Sequence, residues 1–322
     1  MPTHDPKTVL VTGATGYVGS RLVPALLEAG HRVVAASRSG TEDYPWDDGV
    51  ETREFDIADE DLIASAIEGV DVVVYLVHSM DDEDFVRKDR EAAERVARAC
   101  EAAGVTRVVY LSGLVPDGEL SDHLRSRLEV EEVFLDSPVP AVVLRAAMVI
   151  GSGSTSYELL RRLSERIPLL TPVPRWMDNK IQPVAVEDVV HLIEYAIAST
   201  AADGHFDVGG DEVLSYRDLL ATFAVVAGLR RRTVLVPGLS AKLVGRACAA
   251  ISGLEKIEVT ALVASLRHDM VCGENTVRGE LIDDDFTFTG VAEALCRSLT
   301  TGGAEGTSKR GDVQSSASTD PS

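Results

Sequence analysis

Three observations predict the fold class of this 322-residue chain, an α/β doubly wound parallel sheet with a smaller C-terminal lobe. A β-branched run beginning at Lys7 ends in a glycine-rich turn, which opens a helix-periodic stretch closing at Gly30. Further short, continuously apolar runs then alternate with helical stretches, the pattern of strands covered on both faces. Finally, 45% hydrophobic and 26% charged residues are the proportions of an ordinary globular chain, long enough to bury a sizeable core.

Taken in order, "KTVLVTG" reads as the first strand and "YVGSRLVPALLEAG" as the first helix, with Gly30 as its C-terminal cap. "HRVVAASR", "VETREFD", "DVVVYLVHS", "TRVVYLSG" and "PAVVLRAAMVI" follow as strands, with helices such as "DDEDFVRKDREAAERVARACEAAG" between them. Residues 1–150 therefore read as one domain, to which "QPVAVEDVVHLIEYAIAS" returns a strand-turn-helix unit at about 181–212. Between them, "IGSGSTS" reads as a flexible loop and "IPLLTPVPRWMDNK" as a proline-rich segment. From Leu214 several helices, broken by "RRRTVLVPG", complete the smaller lobe, assigned to 151–180 and 213–300. The polar, aperiodic stretch 301–322 reads as a disordered tail.

Composition excludes several function classes. A formal net charge of -21 repels phosphate backbones and anionic lipid, so no nucleic-acid partner is expected. Cys100, Cys248, Cys272 and Cys296 are scattered without metal spacing, which predicts reduced, mostly buried thiols, no metal and a cytoplasmic location. The polar lead "MPTHDPK" lacks the features of a signal peptide, and Lys242 and Arg246 interrupt the most apolar segment, Val234 to Leu254. No integral membrane segment is expected.

The chemistry starts at "VTGATGYVG". Gly13 permits the tight turn, Gly16 lets backbone approach a pyrophosphate, and Gly19 lets the helix pack closely on the strand. Thr15, Tyr17 and Val18 complete the turn, and the helix start offers N–H groups and a positive dipole end to phosphates. In its strand-turn-helix context the motif predicts dinucleotide binding. An NAD site places a carboxylate at the end of the second strand, whereas this chain offers Ser37 and Arg38. A hydroxyl and a guanidinium suit a 2′-phosphate, so NADP(H) is expected over NAD(H), the alternative being that Arg38 is a plain surface charge. Asp56, with Ile57, is a contact for adenine or equally a turn cap. Leu76, Val77 and His78 end the fourth strand, where open sheets bind ligands, although His78 equally suits a helix cap.

The pieces "TGATGYVG", "RSG", "FDIAD", "LRAAMVIGSGS" and "QPVAVEDV", in that order, resemble the short-chain dehydrogenase/reductase superfamily. More narrowly, they resemble its atypical, extended, NAD(P)H-binding branch related to nucleoside-diphosphate-sugar epimerases, over roughly residues 7 to 230. The resemblance implies a Rossmann domain, a C-terminal substrate lobe for a small molecule, and a reaction centre between them. It further implies a serine ending strand five and a Tyr-x-x-x-Lys pair on the next helix. Ser112 takes the serine's place, but "HLRSRLEVEE" puts His123 on the tyrosine and Arg127 on the lysine.

A spacing of four keeps His123 and Arg127 on one helix face. Arg127 can bond ribose hydroxyls but cannot exchange a proton. His123 titrates near neutrality and suits a general acid, while a cation beside it lowers its pKa and favours a base. The plainer alternatives are a turn serine and a surface histidine. On the substrate side, Tyr157 offers a phenol or packs under its loop, and Arg175 with Trp176 suit a flat or anionic substrate or anchor packing. The apolar helical stretch Gly238 to His268 is core for the lobe, and also suits the wall of a lipophilic site.

Three functions from different classes fit these residues. One is an NADP(H)-dependent reductase; another is a dinucleotide sensor resembling the nitrogen-metabolite repressor regulators. The third is a scaffold resembling the nucleotide-holding accessory subunit of respiratory complex I. The substituted pair is what the second and third expect, while Ser112 and a proton-competent His123 favour the first. A homodimer through the helices flanking strands four and five is what the resemblance implies.

Overall fold

A computed structural model describes residues 5–38, 49–78, 84–167, 169–199, 203–300 and 312–315. The main sheet draws on β1 (Thr8–Thr12), β2 (Arg32–Ser37), β3 (Val50–Glu54), β4 (Val72–Tyr75), β5 (Arg107–Gly113) and β6 (Ala141–Ala146). Between these run α1 (Tyr17–Glu28), α2 (Glu60–Ile67), α3 (Phe85–Ala103) and α4 (Asp122–Leu135). There follow β7 (Val149–Ile150), α5 (Thr155–Arg166), β8 (Leu169–Pro174), a 3₁₀ turn at Arg175–Asp178, β9 (Lys180–Ile181) and β10 (Val184–Ala185). The chain continues through α6 (Val186–Ala198), β11 (Gly204–Val208), β12 (Leu214–Ser215), α7 (Tyr216–Val226) and β13 (Arg231–Val236). It ends in α8 (Ala241–Ser252), α9 (Lys256–Ser265), a single turn α10 (Val277–Glu280) and α11 (Val291–Ser298).

Seven parallel strands lie in the order β11-β6-β5-β4-β1-β2-β3. This is the doubly wound α/β arrangement expected from the sequence, with its switch point between β1 and β4. Central strands buried on both faces explain the unbroken apolar runs: Val9, Leu10, Val11, Val72, Val73 and Val74 have no exposed surface. On one face α1 and α6 pack through Leu22, Leu26, Val189 and Ile193. On the other, α2, α3 and α4 cover the sheet, and Tyr75, Tyr110 and Phe134 form a ring cluster with centroids 5.1 to 5.9 Å apart.

Several elements differ from the sequence reading. The strand that rejoins the sheet is Gly204–Val208, beside β6. The expected unit "QPVAV" instead supplies β10, which pairs with β7 in a small separate ribbon. The run "PAVVLRAAMVI" splits into β6 and β7, so only its first half lies in the main sheet. The proline-rich stretch forms β8, paired in parallel with β13, the helix-breaking "RRTVLV". Proline lacks an N–H but still offers a carbonyl, so Pro172 and Pro174 are tolerated in a two-stranded ribbon.

Within the expected tail, Asp312–Ser315 is described and packed. Arg21 donates from Nε to the Val313 carbonyl (2.9 Å), and Gln314 donates to the Ile150 carbonyl (2.7 Å) and to Ser298 Oγ (3.0 Å). Paired backbone and polar groups, rather than apolar periodicity, order this segment, which is why the sequence pattern did not show it. The remainder of the expected tail lies outside the described residues. The four cysteines are unpaired thiols; Cys100 is buried, Cys248 and Cys272 are half-buried and Cys296 is exposed.

The tightest backbone approach is at Gly19, where a Cβ would stand 2.4 Å from the Gly13 carbonyl oxygen and 2.8 Å from Ala14 Cα. Neither obstacle is a flexible side chain, so the helix itself has to move. Gly19→Ala is therefore expected to lower the unfolding free energy by about 1–3 kcal/mol in urea denaturation. Val225→Ala, at a side chain 80% exposed, is expected to change it by less than about 0.5 kcal/mol.

Candidate active site

A cleft of about 430 Å³ opens at the carboxyl ends of β1, β4 and β5. Gly13, Gly16, Tyr17, Val18 and Gly19 form one wall, with Leu76 and His78 beside them. Gly13 takes a left-handed φ of +66° to turn the chain into α1. Gly16 is the N-cap residue of α1; it provides no side-chain cap, and no acid stands in the first turn. Five other helices, α2, α4, α5, α7 and α8, are capped by their own Asp or Ser side chains. An uncapped, acid-free helix start facing a cleft is the arrangement that suits a pyrophosphate, so these residues fit a dinucleotide.

Tyr17 reaches from this turn across to the loop after β7. A Cβ on Gly151 would fall 2.0 Å from the Tyr17 hydroxyl, so glycine is what admits the ring. Arg21 lies over the same ring, 4.4 Å from its centroid. Thr15, Ser37, Arg38, Asp56, Ile57 and Val77 fall outside the lining of this cleft. Val77 nonetheless lies against the turn, with a methyl 3.5 Å from the Cβ position of Gly13. Ser37 is buried and Arg38 exposed at the end of β2. Asp56 Oδ1 accepts the Ala58 N–H (2.9 Å), a turn cap that leaves its second carboxylate oxygen available. Glu54, in register with Ser37 on β3, is an acid at this edge that a strand-two reading could not show.

The opposite wall is β5 and α4. Ser112, His123, Leu124 and Arg127 all line the cleft. Ser112 Oγ is buried and makes no well-formed hydrogen bond, although it lies near enough to the Tyr110 phenol to influence its ionisation. Arg127 Nη1 donates to the Leu111 carbonyl (3.2 Å), an anchor that leaves further guanidinium donors for the cleft.

Burial, then the Arg127 cation, lowers the His123 pKa to about 4, so its imidazole is neutral at pH 7. Arg127 is also the first cause, ahead of burial, of a lowered pKa at His78. His78 is exposed at the rim, where water screens part of that repulsion; the direction holds and both histidines face Arg127 as neutral rings.

Two buried polar contacts fix α4. Ser126 Oγ donates to Asp89 Oδ2 on α3 (2.7 Å), with both residues buried. Glu131, 1% exposed, accepts from Arg145 on β6 through Nε (3.0 and 3.1 Å) and Nη2. These contacts bracket Arg127 and so set which way His123 and Arg127 face. The sequence reading passed over Asp89, Glu131 and Arg145 as actors, since only the fold shows that their charges are buried.

The C-terminal lobe closes the cleft with Glu258, Leu262, Ser265 and Met270. Thr155 Oγ1 donates to Glu258 Oε2 (3.4 Å), tying α5 to α9. Beyond Met270 a second, apolar pocket of about 110 Å³ is lined by Met148, Leu160, Met177, Leu219, Leu220 and Leu266, among others. It shares Ala147, Ser156, Leu262, Ser265 and Met270 with the cleft, so the two adjoin. The stretch Gly238 to His268 thus contributes both lobe core and pocket wall.

The expected substrate-side residues lie elsewhere. Tyr157 is fully buried on α5 against Phe223 (6.1 Å between centroids), not in a loop beside the cleft. Trp176 packs with Leu159 and Val259 and donates its Nε1–H to the Leu239 carbonyl (3.1 Å). Arg175 is exposed. Neither Arg175 nor Trp176 lines the cleft or the apolar pocket. No cluster of potential metal ligands occurs among the described residues.

Residues 13–165 match the family model described as NAD(P)H-binding. The chain is 24% identical to a ceramide reductase of Caulobacter vibrioides, over 74% of this chain and 76% of that protein. It is 29% identical to the mitochondrial NADH dehydrogenase [ubiquinone] 1 alpha subcomplex subunit 9 of Arabidopsis thaliana, covering 65% of this chain and 55% of the subunit. An uncharacterized Mycobacterium tuberculosis protein is 26% identical over 215 residues, but the chain spans only 23% of that longer protein. Among solved structures, a nucleoside-diphosphate-sugar epimerase from Staphylococcus aureus superposes with a TM-score of 0.68 at 18% identity, covering 90% of this chain and 99% of that one.

Removing Glu131 takes the bidentate partner from the half-buried Arg145, which keeps only the Asp207 carboxylate at 3.9 Å. Glu131→Ala is expected to lower stability by about 3–5 kcal/mol, measured by urea unfolding at pH 7. A loss under about 1 kcal/mol would show that the contact does not hold α4.

Proposed function

We propose that this chain, whose residues 13–165 match an NAD(P)H-binding family model, is a member of the epimerase-like branch of the short-chain dehydrogenase/reductase superfamily and a cytoplasmic, NADP(H)-dependent reductase of a small lipophilic carbonyl compound. One observation carries this reading: the glycine turn, Ser112, His123 and Arg127 line a single cleft, and a pocket of alkyl side chains adjoins it. The similarity to a ceramide reductase is consistent with an apolar substrate.

The dinucleotide, when bound, supplies the hydride. Arg127 lends positive potential and donors to the ribose side. Ser112 Oγ, with its hydrogen-bonding capacity unspent, orients the substrate oxygen. His123 carries the proton. With a pKa near 4 it is a base for alcohol oxidation at neutral pH. As an acid for reduction it acts through an imidazolium fraction that grows about tenfold for each pH unit below 7 until that pKa is approached. The apolar pocket takes the substrate's hydrocarbon part and excludes water behind the carbonyl. A second reading, a non-catalytic NADP(H) sensor or scaffold, draws on the His-for-Tyr and Arg-for-Lys substitutions and on the similarity to the Arabidopsis subunit.

The test is hydride transfer from NADPH deuterated at the transferable position into a lipid-containing metabolite extract, read by mass spectrometry. Label is expected in an apolar alcohol, to be lost in His123→Phe while NADPH binding persists. Tight NADPH binding without label in any well-covered extract would favour the sensor.

With the substrate so identified, the reduction rate is expected to rise as pH falls from 7 towards 5, whereas oxidation stays nearly flat. A pH-independent reduction would remove His123 as proton donor. Arg38→Ala is expected to weaken NADPH binding by about tenfold or more, measured by fluorescence titration, and to spare NADH. Preference for NADH in the unaltered protein would hand the ribose to Glu54 instead.

A further inference from the structure

The chain's acidity is unevenly spread. Against 52 Asp and Glu residues overall, residues 219–254 contain none, yet they hold Arg230, Arg231, Arg232, Lys242 and Arg246. The same stretch, which contains β13 and α8, exposes large aliphatic side chains: Val234, Leu235, Leu243 (62% exposed) and Ile251, with Ile257 just beyond. On α8, Leu243, Ala247, Ala250 and Ile251 share one exposed face, while Gly245, Ala249 and Ser252 are buried on the other. Lys242 and Arg246 flank the exposed stripe and are themselves exposed.

The last turn of α5 holds these elements side by side. Arg231 Nη2 donates to the Leu163 (3.2 Å) and Ile167 (2.7 Å) carbonyls. Arg166 Nη1 donates to the Ile251 (2.6 Å) and Ser252 (2.8 Å) carbonyls at the end of α8. Arg231 and Arg166 are thus structural pins, and Arg230, Arg232, Lys242 and Arg246 remain as the outward charges.

We propose that the exposed face of α8, with the outward cations of β13 as further anchors, docks on an anionic lipid surface. The aliphatic side chains enter the headgroup boundary and the flanking cations sit against lipid phosphates, as in interfacial amphipathic helices. Lipid fits because a stripe of aliphatic side chains edged by cations pairs an apolar layer with a layer of phosphates, the order in which a headgroup boundary presents them. The acid-rich remainder of the surface is repelled by the same membrane, which leaves this face as the one that can approach. Screening over about 8–10 Å at physiological salt confines both effects to the nearest residues. The docked lobe is also the one holding the apolar pocket, since α5 and α9 line that pocket and pack on α8.

The experiment is co-sedimentation of the full chain with vesicles of phosphatidylcholine alone and with about 30% phosphatidylglycerol. Binding is expected with the anionic vesicles only, and is expected to fall steeply at about 0.5 M salt. The double variants Leu243→Asp/Ile251→Asp and Arg232→Glu/Arg246→Glu are each expected to bind about tenfold or more weakly, with NADPH binding and unfolding midpoint unchanged. No binding of the unaltered chain to anionic vesicles overturns the proposal, as does equal binding by either variant. A dimer that falls apart in these variants, seen by light scattering, while vesicle binding is absent, gives the face to a second copy of the chain. None of these outcomes depends on turnover, so they are separable from the fate of the reductase assignment.

Discussion

The close approach of α1 to the end of β1 is the constraint on which the rest of the molecule depends. At Gly19 the helix comes so near the Gly13 carbonyl that no side chain fits between them. That proximity aims the uncapped start of α1 along the carboxyl edge of the sheet, at the point where strand order reverses. A buried threonine seals the same place: the Leu76 N–H donates to Thr12 Oγ1 (3.1 Å), whose hydroxyl donates to the Val74 carbonyl (3.3 Å). The two strands that flank the switch point are thereby stitched beyond their regular ladder. Backbone contacts thus fix the turn between β1 and α1.

Opposite the cradle, geometry is set by charge buried at a distance from the chemistry. Asp89 and Glu131 are carboxylates that burial alone would penalise, and each is matched by a donor from another element. Their effect is positional, holding α4 so that one helix face presents His123 and Arg127 to the cleft. Arg127 then does what a lysine at the same place does in part: it supplies positive potential. It also repels protons from both histidines.

The central sheet was legible in the sequence because parallel strands buried on both faces must be continuously apolar, and the glycine turn marks where the first of them ends. The relation of Ser112, His123 and Arg127 was legible because helical spacing survives any substitution. What the sequence concealed depends on contacts between distant segments. Gly204–Val208 is short and half polar, and it reads as a strand only once β6 is seen to lack a neighbour on its outer edge. Tyr157 follows a flexible glycine-serine loop and looked like part of it, but Ser154 caps a helix there and turns the ring into the core. The burial of Asp89 and Glu131 was not legible, since burial on α3 and α4 is decided by what packs over them.

The reaction cleft and the apolar pocket meet at Met270, where chemical character changes over a few residues from hydroxyl, imidazole and guanidinium to leucine and methionine. A ligand spanning both must join a polar reacting end to an alkyl end, and a fully polar sugar would leave the leucine-lined end poorly filled. This division also gives the two lobes separate tasks. The sheet presents its glycine turn through backbone, while the apolar pocket is lined by side chains from α5, α7 and α9. The helices α5 and α9 connect the pocket to the basic, aliphatic face of α8, so the part of the molecule that holds the apolar pocket also carries a surface that departs from the acidity of the whole.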